Sequence, residues 1–182
     1  MKIRNRMAAL LLCVSIGTAL VACGNETKSI GASSSVQNAS ESEASDQVGM
    51  PNPWVEAKNQ NDAQKQVGFD IQLPSSLPAE YGAPSFLVIP GEMMEAYYAG
   101  AEEARICVRK AAGTDDASGD YRAYSESQQV TVGDLEVTMK GDDGAINLAV
   151  WNDGTNAYSI GVYGGAGLTM EEMTQMVSEM ME

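Results

Sequence analysis

Histidine is absent from all 182 residues. That absence removes the usual general base, the Ser-His and Cys-His pairs, and imidazole metal sites. Chemistry then falls to cysteines, arginines, carboxylates and methionines. The most suggestive grouping is Arg105-Ile106-Cys107-Val108-Arg109-Lys110, where apolar and polar residues alternate. In a strand, Arg105, Cys107 and Arg109 share one face, and two guanidiniums beside a thiol lower its pKa toward a reactive thiolate. The plainer reading, and the favoured one, is a small strand residue without a base or resolving thiol. With Lys110 and Arg122, the two arginines form a cationic strip. It suits a carboxylate- or phosphate-bearing ligand, or the neutralisation of neighbouring acids. The candidate ligand-binding residues are Arg105, Arg109, Lys110 and Trp151, with Trp151 as the aromatic member of the patch.

Other groupings read more simply as structure. Thr114-Asp115-Asp116-Ala117-Ser118-Gly119-Asp120 crowds oxygens as a calcium site would, but lacks the spacing and closing Glu of a known calcium loop, so a solvated turn is favoured and no metal is assigned. Gly164-Gly165-Ala166-Gly167 stands where backbone amides cradle phosphate, yet no Lys-Ser or Lys-Thr follows, so it reads as a β-to-α connection. Met170, Met173, Met176 and Met180 line one side of a helix, as copper(I) thioethers would, but core packing explains the spacing equally well and is preferred. No cofactor is called for.

Cys23 has a different context. Lys2, Arg4 and Arg6 precede an apolar run from Met7 to Val21, and the run ends in Leu20-Val21-Ala22-Cys23. A stable membrane span needs roughly 20 apolar residues, so a shorter run closed by small residues reads as a signal to be processed. The pattern resembles the bacterial lipobox. It implies cleavage between Ala22 and Cys23, a lipid on Cys23, and a protein held by that lipid on the extracytoplasmic face of the cell membrane. On that reading residues 1–22 are the signal peptide and 23–50 a Ser-rich tether, a coil reaching roughly 25–30 Å. Residues 51–182 form one domain. Cys107 is then the sole cysteine of the folded part, and no internal disulfide is available. Removing three basic residues with the signal leaves 8 Lys+Arg against 25 Asp+Glu, a net charge of −17. Nucleic acid is excluded as a partner, because phosphate contacts need a basic surface.

Within the domain, Asn61 or Asp62 caps a short helix carrying Ala63 and Val67, stopped by Gly68. Prolines 74, 78, 84 and 90 leave 72–83 irregular and 85–89 a short strand. Alternation then marks Ile106 and Val108, then Leu135, Val137 and Met139, and then Ile146, Leu148 and Val150 as half-buried strands. Asn152-Asp153-Gly154-Thr155 and Gly133-Asp134 read as hairpin turns. Trp151 and Tyr163 fall off the phase of Ile146 and Ile160, which assigns them to the opposite face of the sheet. Thr169 and Glu172 write a capping box, with Leu168 stapled to Met173. The fold class expected is α+β: a curved antiparallel sheet of six to seven strands with a short N-terminal helix and a C-terminal helix packed on one face.

The succession Asn52-Pro53-Trp54, Val67-Gly68-Phe69, Ile106 to Ala111 running into Gly119-Asp120-Tyr121, Val130-Thr131-Val132, and Ala149 to Gly154 resembles a family of extracytoplasmic domains of unknown function. They occur in Gram-positive lipoproteins and at the outer ends of some anti-sigma and sporulation membrane proteins. The resemblance covers roughly residues 52–181. It implies the sheet-and-helix fold and supplies no catalytic residue. A more distant likeness, of fold alone, is to the curved half-barrel of outer-membrane lipoprotein carriers.

Three classes of function follow. The favoured one is a non-enzymatic binding or regulatory module at the cell envelope, recognising an envelope protein or small ligand. A carrier of apolar molecules would need a cavity between sheet and C-terminal helix. A carboxylate-only enzyme would need two converging acids, which no spacing suggests.

Overall fold

The computed structural model describes residues 51–181. The proposed signal peptide, the cleavage and lipidation site at Ala22 and Cys23, and the tether lie outside the described residues. The elements in chain order are β1 (Val55–Ala57), α1 (Gln60–Val67), β2 (Ser85–Ile89), β3 (Met93–Ala99), β4 (Arg105–Ala112), β5 (Glu126–Val132), β6 (Leu135–Asp142), β7 (Ala145–Asn152), β8 (Asn156–Tyr163) and α2 (Met170–Glu179).

All eight strands form one antiparallel sheet in the order β1-β2-β3-β4-β8-β7-β6-β5. The connectivity is that of two four-stranded meanders joined where β4 pairs with β8. Six to seven strands were expected. The strand not foreseen is β1, whose three residues are too few to show a period and which exists through its pairing with β2. It precedes α1, so the first helix is not the first element of the domain.

Both helices lie on the same side of the sheet. Ala63 and Val67 of α1 join Phe86, Val88, Met94 and Ala96, while Met173, Met176 and Val177 of α2 join Val137, Met139, Ala149 and Ile160 in one continuous core. Helix α1 starts earlier than its sequence suggests. Asn59 is the N-cap and accepts from the Asp62 N–H, while the Asp62 carboxylate accepts from the Lys58 N–H. Asp62 is thus the acid of the first turn rather than the cap. Gly68, at φ 83°, ends the helix in the left-handed conformation. Helix α2 begins as its sequence indicates: the Thr169 hydroxyl accepts from the Glu172 N–H and the Glu172 carboxylate accepts from the Thr169 N–H. Met173 and Met176 are fully buried in the core, while Met170 is half-buried against it. Leu168, the residue before the cap, packs in the same cluster and pairs with Ile146.

The main departure from the alternation pattern is in β7. Gly141 pairs with Ile146 but Lys140 pairs with Leu148, so β7 carries one extra residue there. A bulge of this kind reverses which face the following side chains occupy. Ile146, Ala149 and Trp151 therefore face the helices, whereas Leu148 and Val150 face away; the expected single row of Ile146, Leu148 and Val150 is split. Gly141 permits the bulge, because a Cβ there would run into the Ala145 carbonyl.

Candidate ligand-binding face

The register of β4 separates the four candidate residues. Arg105, Cys107 and Arg109 project from the face opposite the helices, in line with Tyr163, Gly161 and Ser159 of β8. Lys110 projects toward the helices. Its Nζ donates to the Asp70 carbonyl at 2.7 Å and sits over the Phe69 and Tyr158 rings. Trp151 also faces the helices, 5% exposed and stacked on Tyr158 with ring centroids 5.3 Å apart. The expected patch uniting Arg105, Arg109 and Trp151 does not form, and the β7 bulge is the reason. Tyr163 does lie on the outer face, as its phase suggested.

On that outer face Arg109 is already occupied. Its Nε donates to Glu95 Oε2 at 2.6 Å, and Nη1 donates to the carbonyl oxygens of Ser118 and, at 3.4 Å, Ala117. Glu95 is opposite Arg109 in the β3–β4 register and is itself buried. A buried carboxylate needs such a partner, since desolvation of an unpaired charge costs several kcal/mol. The same guanidinium ties the 113–125 connection down onto the sheet. Ala117 is buried there with Ala111 and Ala157, and Met93 packs against them. Gly119, at φ 58°, is required at this point: a Cβ would lie 2.8 Å from Arg109 Nη1.

A second charged group follows. The Asp120 carboxylate accepts from Nε and Nη2 of Arg122 and from the Tyr124 hydroxyl at 2.7 Å. Burial pushes the Asp120 carboxyl up, but the hydrogen bonds from Arg122 and Tyr124 outweigh it and hold it at about 2. Arg122 also donates to the Val162 carbonyl and lies 4.5 Å from the Tyr163 ring centroid; Arg105 lies 4.9 Å from the same centroid. Tyr163 thus carries two guanidiniums on one aromatic ring. Its ring lies over Gly161, where a Cβ would meet the Tyr163 Oη at 2.6 Å. Among the described residues Arg105 has no carboxylate within ion-pair distance.

Cys107 sits between these groups, but burial pushes its thiol up to about 11, aided by Glu95 and opposed by Arg109 and Arg105. Desolvation outweighs the arginines, so the residue is a protonated thiol at neutral pH rather than an activated nucleophile. Two carboxylates of the acidic loop are engaged within the chain: Asp120 is turned to Arg122 and Tyr124, and Asp116 accepts from the Ser118 N–H. Among the described residues, no three Cys, Asp or Glu side chains come together as a metal-ligating group.

The sequence reading missed Glu95, Asp120 and Tyr124 as members of this face. An acid in the apolar run Met93 to Ala99 was the available signal for Glu95, but its partner is set by strand register. Comparison of the chain with family models, with curated proteins and with solved structures gave no match.

Proposed function

We propose that this chain is a lipid-anchored module on the extracytoplasmic face of the cell membrane that binds an anionic, carboxylate- or phosphate-bearing ligand and catalyses no reaction. The anchor rests on Leu20 to Cys23 and the basic and apolar segments before them. The binding reading rests on one observation: Arg105, unpaired among the described residues, stacks on a tyrosine that also carries Arg122. In a chain so acidic, a guanidinium held on an outer sheet face without a carboxylate to neutralise it suits an incoming anion. Against catalysis stands the state of the two best-placed acids, since Glu95 and Asp120 are each engaged by an arginine. Against a lipid carrier stands the packing between α2 and the sheet, where Met173, Met176 and Val177 are fully buried in side-chain contacts. The likeness to the extracytoplasmic domain family belongs to the same proposal.

Isothermal titration of the full chain in detergent micelles with phosphate and with citrate tests the site. Binding of either anion should be lost in Arg105→Ala and weakened by salt. Heat of binding that is identical in Arg105→Ala would remove the site. Metabolic labelling with a radioactive fatty acid tests the anchor: label should enter the chain and be lost in Cys23→Ser.

A further inference from the structure

The two edges of the sheet differ. β1 is three residues long, too short to accept much pairing, whereas β5 is seven residues, Glu126-Ser127-Gln128-Gln129-Val130-Thr131-Val132, with no Lys, no Pro and no register shift against β6. Edge strands are usually blunted by such features. Among the described residues nothing pairs with the outer side of β5. Val132 and Leu135 flank a two-residue turn with Gly133 at φ 58°, the geometry in which the flanking residues hydrogen-bond to each other. Glu126, Gln128, Val130 and Val132 then bond to β6, and the backbone groups of Ser127, Gln129 and Thr131 point outward. Beside the C-terminal end of this edge lies an open groove of about 840 Å3, floored by Thr131 to Gly133 and walled by Met170, Glu171, Thr174, Ser178 and Glu179 of α2.

We propose that this edge and groove form a docking site where an extended, basic segment of a partner protein adds a strand beside β5 and lays alternate side chains against α2. An edge strand next to a helix flank offers both elements of strand addition, main-chain hydrogen bonds and a side-chain wall. Charge selects the occupant. No Lys or Arg lines the groove, Glu171 and Glu179 do, Glu126 starts the strand and Asp134 lies in its turn. A second copy brings a net charge of −14 against the same sign, and residues 24–50 hold Glu26, Glu41, Glu43 and Asp46 against Lys28 alone. A basic strand is favoured over both.

This site is separate from the Arg105 face, and the test keeps the two apart. A fluorescent, capped seven-residue peptide alternating lysine and valine is titrated by anisotropy with the full chain in micelles, beside a copy N-methylated at alternate residues. The parent peptide should saturate, the N-methylated copy and the Gln129→Pro variant should each bind about tenfold more weakly, and Glu171→Lys should weaken binding and flatten its salt dependence. Arg105→Ala should bind as the parent does. If Gln129→Pro fails to give a native circular dichroism spectrum, Thr174→Trp, which fills the groove, is read instead and should also weaken binding. Equal binding of both peptides, or unaltered binding to a folded Gln129→Pro or Thr174→Trp, overturns the proposal. So does dimerisation abolished by Gln129→Pro, which would make a second copy the occupant, or peptide binding that appears only after residues 24–50 are removed, which would make the chain's own segment the occupant.

Discussion

Replacing Glu95 by alanine should destabilise the domain far more than a surface ion pair would. The pair with Arg109 has a 2.6 Å contact, and the two side chains are 7% and 20% exposed, Glu95 being the deeper. Removing the acid leaves a guanidinium largely desolvated, with the Ala117 and Ser118 carbonyls and the face of the Trp54 ring as its remaining partners. Breaking a buried pair from one side costs about 3–5 kcal/mol, and the partial exposure of Arg109 places the expected loss near the lower end, about 3 kcal/mol. For a domain of this size that lowers Tm by roughly 10 °C. The double variant Glu95→Leu/Arg109→Met should recover most of the loss, because the pair's attraction mainly offsets its own desolvation. It should not restore the 113–125 connection, which Arg109 holds through its carbonyls. The assay is urea denaturation of the single and double variants, with amide exchange across 113–125. A loss below about 1 kcal/mol in Glu95→Ala, or a double variant that loses as much as the two singles combined, would refute the buried-pair account.

Other consequences are as definite. Cys107 should resist alkylation at pH 7.5 in the native chain and react at the ordinary thiol rate once denatured, since its thiol is held at about 11; rapid native labelling would contradict this. The Asp120 carboxyl, held at about 2, contributes stability that is present above its unfolded value near 4 and lost as pH falls through the folded one. Thermal melts of Asp120→Asn should therefore show a shallower decline between pH 4 and pH 2 than those of the parent chain. Met176→Ala should cost about 2–5 kcal/mol by opening a cavity beneath α2, against about 1 kcal/mol for Thr169→Ala at the cap. Urea midpoints rank the two, and a reversed order would mean that α2 is held by its cap rather than by its methionines.

Much was legible wherever the signal is local. The capping box at Thr169 and Glu172, the breakers at Gly68 and the prolines, the turns at Gly133-Asp134 and near Asp153-Gly154, and the alternation of β4 and β6 are all set by neighbours a few residues apart. The sequence alone also determined the charge, the lack of histidine and the single cysteine among residues 51–181, which narrow the chemistry before any fold is known. What tertiary structure decided is which side chains meet. The extra residue at the β7 bulge turned Trp151 toward the core, a one-residue effect that no period-2 pattern reveals because it inverts the pattern itself. The register of β3 on β4 gave Arg109 to Glu95, and the return of β8 beside β4 put Tyr163 under Arg105 and Arg122. Cys107 shows the principle most plainly: its neighbours in sequence argue for an ionised thiol, and the depth at which the sheet buries it decides the opposite, because desolvation depends on everything packed around a group and not on what flanks it in the chain.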